Sequence, residues 1–191
     1  MSSTLVSADF ATTFGSLHVV ASADGTVHAA ELRPGSAACT EPGRLPRIAE
    51  ALAAWEDGDA DALTRVPVRL TGSPFFTEVW DTLRTVPAGE VVSYAELAEM
   101  AGRPRAMRAA GTACAQNTLS LFVPCHRVIA ARGRLGGYGF GGSGIKAALL
   151  EHEGVAIAPG PVTADSLVGA DAAVTWAATS PRPVRQSAGE W

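Results

Sequence analysis

Residues 117–129 read Asn-Thr-Leu-Ser-Leu-Phe-Val-Pro-Cys-His-Arg-Val-Ile, and Cys125 with His126 is the pair in this chain best suited to covalent chemistry. A cysteine at its ordinary pKa of about 8.5 is only a few per cent thiolate at neutral pH. An imidazole that takes its proton, directly or through water, changes that, and the positive charge of Arg127 favours the anion. Adjacency does not make two side chains converge, however. The apolar run Leu119 to Val123 leading into Pro124 equally suits a buried cysteine behaving as a small hydrophobe. The local pattern leaves both readings open. A cysteine hydrolase is a third, although nothing else in the chain suggests an acyl pocket.

The elements around this segment divide the chain into an N-terminal α+β unit (1–72), a second unit (73–156) and a flexible tail (157–191) rich in Ala, Pro and Ser. Alternating stretches Leu17 to Ala21 and Val27 to Leu32 flank Ala-Asp-Gly-Thr and predict a β-hairpin. Arg47 to Trp55 has helical periodicity ended by the acidic run 56–61, and Val66 to Leu70 alternates like a strand. Past Gly72-Ser73-Pro74, the apolar residues Phe75, Phe76, Val79, Trp80 and Leu83 predict a helix over 75–85. Ser93 and Glu96 form a capping-box pattern for a helix from Tyr94 to Ala101, ended by Gly102. Pro104 suits the first turn of a following helix, 104–116, which carries Arg105, Arg108 and Thr112 on one face and small residues elsewhere. The two helices are a helix-turn-helix candidate, though such pairs are often only packed helices.

A net charge of −4 argues at first against a nucleic-acid partner. The distribution points the other way: 101–150 holds no Asp or Glu, yet carries Arg103, Arg105, Arg108, Arg127, Arg132, Arg134 and Lys146. A solvated loop face is the plain alternative. The absence of a long apolar run excludes a membrane span, and the N-terminus lacks the basic start of a secretion signal. Three cysteines are too few and too scattered for a disulfide framework, so a reduced, cytoplasmic protein is expected.

Pro124-Cys125-His126-Arg127-Val128 resembles the acceptor signature of the methylated-DNA–protein-cysteine methyltransferases, the O6-alkylguanine-DNA alkyltransferases. Pro87 to Glu90, Ser93 to Ala98, Arg108 to Gly111, Asn117, Gly136-Gly137-Tyr138, and Lys146 through Glu153-Gly154 follow in the family's order. The resemblance covers residues 72–154 and is loose before them. It implies an α+β protein: a small N-terminal α/β (RNase H-like) domain and a mainly helical C-terminal domain with a helix-turn-helix that enters the minor groove. It implies repair of O6-alkylguanine, with O4-methylthymine as a further lesion, in double-stranded DNA by a monomer, copies clustering along the duplex. The alkyl group passes once, irreversibly, to Cys125, with the damaged base flipped out of the stack. His126 resembles the base acting through water, Glu153 the carboxylate that orients it, and Tyr94 the hydroxyl that helps neutralise departing guanine. Asn117 resembles the hinge, and Arg108 the finger replacing the extruded nucleotide. Arg105, Thr112, Arg127, Val128, Tyr138, Gly139 and Lys146 complete the expected DNA- and substrate-contacting set.

Two departures from the family stand out. The hinge reads Asn117-Thr118 rather than Asn-Pro, and the glycine loop 136–144 is one residue longer before Lys146 than the family spacing. A longer wall would admit bulkier alkyl groups, with Gly139 as the backbone donor to the substrate's O6. The same loop matches Gly-x-Gly-x-x-Gly, but without the preceding strand and later acidic residue of a dinucleotide fold. No cofactor is expected. Nor is a metal, since His18, His28 and Cys39 lack the close paired spacing of a zinc site. Proteins of this fold that sense lesions without reacting lack the acceptor cysteine, whereas Cys125 is present. A regulator using the helix-turn-helix would need further domains for which this chain has no room.

Overall fold

The computed structural model describes residues 4–36 and 42–169. Its first element, β1 (Leu5–Thr12), is followed by β2 (Gly15–Ser22) and β3 (Val27–Arg33), an antiparallel meander in the order β1-β2-β3. The hairpin expected around Asp24-Gly25 is β2–β3, with Gly25 at φ +88°, a conformation that favours glycine. β1 was not anticipated, although Val6, Ala8 and Phe10 alternate with polar residues and turn one face inward. α1 (Pro46–Glu56) covers the sheet with Ile48, Leu52 and Trp55 buried. The expected strand at 66–70 reduces to a single parallel bridge, Val27 with Val68, because Pro67 has no N–H for a continuous ladder.

Helices dominate the second half. α2 (Pro74–Leu83) starts on Ser73, whose hydroxyl accepts from the Phe76 N–H, and buries Val79, Trp80 and Leu83. β4 (Val92–Ser93) leads into α3 (Tyr94–Met100), where the capping box forms: Ser93 Oγ accepts from Glu96 N at 3.2 Å and Glu96 Oε2 from Ser93 N at 2.7 Å. Gly102, at φ +76°, turns the chain out of it. α4 (Met107–Ala115) begins later than expected. A turn closed by Ala106 N–H to Arg103 O at 2.8 Å takes up Pro104 and Arg105, so Arg105 precedes the helix and does not share its face with Arg108 and Thr112. β5 (Val128–Ile129) pairs in parallel with β4, and α5 (Gly142–His152) closes the bundle.

The expected boundary at residue 72 is not a break in the core. One apolar cluster runs from Phe10, Leu17 and Trp55 through Trp80 and Leu97 to Phe122 and Leu149. Trp80 Nε1 donates to Ala113 O at 2.8 Å and locks α2 onto α4. The ordered chain also continues past 156: Leu135 N–H bonds Ser166 O, Val168 N–H bonds Gly133 O, and Val168 is buried. Residues 157–169 are therefore tied to 133–136, where a loose tail was expected, and the rest of that expected tail (170–191) lies outside the described residues. Among the described residues no helix is long and apolar enough to cross a membrane.

Candidate active site

The Cys125 segment reaches its position by pairing on both sides. At one end Ala30 N–H bonds Thr118 O at 2.8 Å and Ser120 N–H bonds Ala30 O at 3.0 Å, so 118–120 runs parallel along the open edge of β3. At the other, Val92 faces Val128 and Ser93 faces Ile129. That parallel pairing sets Tyr94, first residue of α3, beside the turn that carries the cysteine. Between the two, buried Leu121 sits at φ +68°, a left-handed conformation costly for a residue with a Cβ. It redirects the chain from the sheet edge to Pro124 and into a 3-10 turn, Cys125–Arg127.

Asn117 ties this loop together. Its Nδ2 donates to Val123 O at 2.9 Å and to Cys125 Sγ at 3.2 Å, while its Oδ1 accepts from Leu119 N–H at 2.9 Å. Cys125 is buried. Burial pushes its thiol above the ordinary value, opposed by the Asn117 hydrogen bond and the charge of Lys146. The resting thiol therefore stays protonated until a base removes the proton.

His126 is 2% exposed and its Nε2 lies 2.9 Å from Glu153 Oε1. Its Nδ1 is buried and has no partner among the described residues. With the proton on Nε2 shared with Glu153, Nδ1 is the ring nitrogen open to a new proton. Burial would raise the Glu153 carboxyl, but the charge and hydrogen bond of His126 and the bonds of Arg127 outweigh it and hold it at about 2. Glu153 is thus a carboxylate throughout the neutral range.

Two cations expected at the DNA surface are interior instead. Arg127 is 1% exposed and grips Glu153 with two bonds, Nε to Oε2 at 3.0 Å and Nη2 to Oε1 at 2.8 Å. Its remaining donors reach Val86 O, Ala60 O and Asp61 Oδ1. Lys146 is fully buried and donates to Val128 O and Leu135 O, both at 2.6 Å, and to Gly137 O at 3.4 Å. Burial lowers its pKa to about 8, the nearby thiols opposing. Neither side chain has free donors for a phosphate. The cation acting on the Cys125 thiol is Lys146, not Arg127, whose charge faces Glu153 and Asp61.

The other expected residues divide by exposure. Arg105, Arg108 and Thr112 are exposed, and neither guanidinium has an ion-pair or hydrogen-bond partner among the described residues. Arg103 lies over the Phe75 ring and 3.5 Å from Glu78. Val128 is wholly buried in β5. The Tyr138 ring meets His126 edge-on at 6.3 Å. Burial pushes its phenol well above the ordinary value, and neither its hydroxyl nor that of Ser120 completes a hydrogen bond among the described residues. Gly139 is exposed, with open space where a Cβ would stand. The Tyr94 ring lies against Gly111 of α4, and burial, then Cys114 and Cys125, push its phenol up to about 12. Asp61 escaped the sequence reading, because its acidic run signalled only the end of a helix and its partner Arg127 is 66 positions away. Arg84 escaped it too: it spans Thr64 O, Val66 O and Phe122 O, joining the segment before α2 to the acceptor loop. Among the described residues no group of three His, Cys, Asp or Glu side chains forms a metal site.

Residues 74–155 match the family described as 6-O-methylguanine DNA methyltransferase, DNA binding domain. A methylated-DNA–protein-cysteine methyltransferase of Shigella flexneri is 45% identical over 115 residues, 60% of this chain and 65% of that enzyme's length. The enzyme of the same name from Mycobacterium tuberculosis is 43% identical over 113 residues, 59% of this chain and 67% of its own. The crystal structure of the Mycobacterium tuberculosis O6-methylguanine methyltransferase superposes with a TM-score of 0.65 at 33% identity, covering 78% of this chain and 93% of that one. OGT of that organism in complex with DNA gives 0.65 at 36% identity, over 78% and 92% of the two chains.

Proposed function

The chain belongs to the methylated-DNA–protein-cysteine methyltransferase family, and from that premise we propose that it repairs O6-alkylguanine in double-stranded DNA by moving the alkyl group onto Cys125. The observation that carries this reading is a pair of buried bonds on successive residues: the Cys125 thiol held by Asn117, and the His126 imidazole, with one free nitrogen, bonded to an ionised Glu153. The thiol proton passes to His126 Nδ1, directly or through water, and Glu153 stabilises the resulting imidazolium. The thiolate attacks the alkyl carbon in line. A sulfur–carbon bond forms as the carbon–oxygen bond breaks, and the electron pair leaves with guanine. Tyr94, whose phenol feels the charge of Cys125, donates to the leaving base. The thioether has no easy leaving group, so each molecule acts once and needs no cofactor.

The target carbon is out of reach within the stack, so the base is flipped. We read α3 and α4 as the helix-turn-helix that does this, with Arg108 filling the vacated place, Thr112 exposed on α4 and Arg105 exposed on the turn before it. The meander with α1 is read as the RNase H-like portion. The protein acts as a monomer, copies clustering along DNA, in a reducing cytoplasm that keeps Cys125 a free thiol. The open space at Gly139 supports a wide pocket mouth, in which O6-benzylguanine is accepted beside O6-methylguanine; strong exclusion of benzyl would remove that part.

The test is the intact mass after incubation with duplex DNA carrying one O6-methylguanine. A gain of one methyl group, mapped to Cys125 and absent in Cys125→Ala, is the expected result. Lesion-selective binding with no mass gain would instead identify a sensor.

A further inference from the structure

We propose that Asp61, in the acidic turn after α1, is a positioning residue for alkyl transfer: it holds Arg127 so that Glu153 faces His126. The inference rests on the alkyl-transfer reading above. Glu153 Oε1 is shared between His126 Nε2 at 2.9 Å and Arg127 Nη2 at 2.8 Å, so the plane of the Arg127 guanidinium fixes where the carboxylate points. That plane is fixed from the other side by the acidic turn after α1 and by the chain that follows α2. Nη1 donates to Asp61 Oδ1 at 3.0 Å and Val86 O at 2.5 Å, and Nη2 to Ala60 O at 3.2 Å. Asp61 is itself anchored, because its Oδ1 accepts from Ala88 N–H at 3.0 Å and its backbone carbonyl accepts from Thr64. The guanidinium has five N–H donors in a rigid fork, and five bonds occupy it.

Charge makes the same connection. With His126 protonated, two carboxylates (Glu153, Asp61) face two cations (Arg127, His126). Remove the Asp61 charge and Glu153 alone faces both, which weakens its hold on the imidazolium and makes His126 a poorer acceptor of the Cys125 proton. The other groups around this row are Cys125 next to His126, the Tyr138 ring at its edge, and Lys146 acting on Cys125 from α5. On the Asp61 side stands Arg65, which feels Asp61 but pairs with Asp59. Asp61 is 38% exposed, so water screens part of its effect.

The experiment is the single-turnover rate of methyl transfer from O6-methylguanine duplex DNA against pH, with lesion-DNA affinity measured in parallel. For Asp61→Asn the plateau rate falls about tenfold, as expected when a general base loses part of the charge that supports it. The acid limb of the profile moves to lower pH, DNA affinity is unchanged, and Asp61→Glu restores most of the rate. Asp59→Asn, in the exposed part of the same turn, serves as the control and leaves the profile as it is. If Asp61→Asn does not fold, Asp61→Ser keeps an acceptor for Ala88 N–H without the charge and carries the same expectation. A wild-type rate and limb, or a slower rate with an unmoved limb, overturns the role of Asp61. Absence of transfer in the unmodified protein would instead overturn the alkyl-transfer reading itself.

Discussion

Five of the seven cations of residues 101–150 fall into two regions with opposite character. On the turn and helix at 103–112 the arginines are exposed, and Arg105 and Arg108 are unpartnered among the described residues. Around the Cys125 turn, Arg127 and Lys146 are buried, and each is bonded to at least three backbone or carboxylate oxygens. The first region has charge to offer a polyanion. In the second, desolvated charge is used to hold geometry, and loss of any member leaves a buried polar group without its partner. A one-signed stretch of sequence therefore contained two devices that only burial separates.

The largest expected effect comes from Glu153→Gln. It leaves Arg127 facing Asp61 alone and removes the anion that stabilises a protonated His126, so methyl transfer slows by about 10²–10³-fold in a single-turnover assay. The same change alters acid stability. The Glu153 carboxyl sits at about 2 in the folded protein against an ordinary 4.5, so its contribution is fully present above pH 4.5 and is lost as pH falls from 4.5 toward 2. Urea unfolding followed over that window should show a decline of about 3 kcal/mol that is missing from the Gln variant.

Next is Lys146→Met, similar in length but without donors. It strands the carbonyls of Val128 and Leu135 and should lower unfolding free energy by about 2–3 kcal/mol in urea titration. A loss below about 0.5 kcal/mol would mean that water replaces the ammonium, and the contrast between the regions would blur.

Arg108→Ala should be nearly neutral for stability, within about 0.5 kcal/mol, yet slow transfer from duplex DNA more than transfer from a free O6-alkylguanine base. Equal slowing on both substrates would place Arg108 in the chemistry rather than in base extrusion. The smallest effect belongs to Arg105→Ala: stability unchanged, and the slope of log affinity against log salt reduced by about 0.9, as for one lost phosphate contact. An unaltered slope would remove Arg105 from the DNA surface.

Local chemistry made the helices and turns legible. The Ser93–Glu96 box, the Gly25 turn and the periodicity of α1 and α2 all depend on residues within four positions of one another, and all formed. Misplacements arose where a distant contact outweighed the local pattern. α4 starts at Met107 because the 103–106 turn claims Pro104 and Arg105. The alternating stretch 66–70 found only a single bridge on β3, whose edge it shares with the acceptor loop.

By itself the sequence determined the order of the helices, which is a matter of residue type and short-range spacing, and it carried the family resemblance, which implied Cys125, His126 and Glu153 as thiol, imidazole and carboxylate. Tertiary structure alone decided which cations are buried, that Lys146 rather than Arg127 acts on the thiol, and that the acidic turn after α1 reaches Arg127 beside Glu153. Burial and ion pairing across 66 residues depend on which surfaces the core brings together, and no periodicity in the chain encodes that.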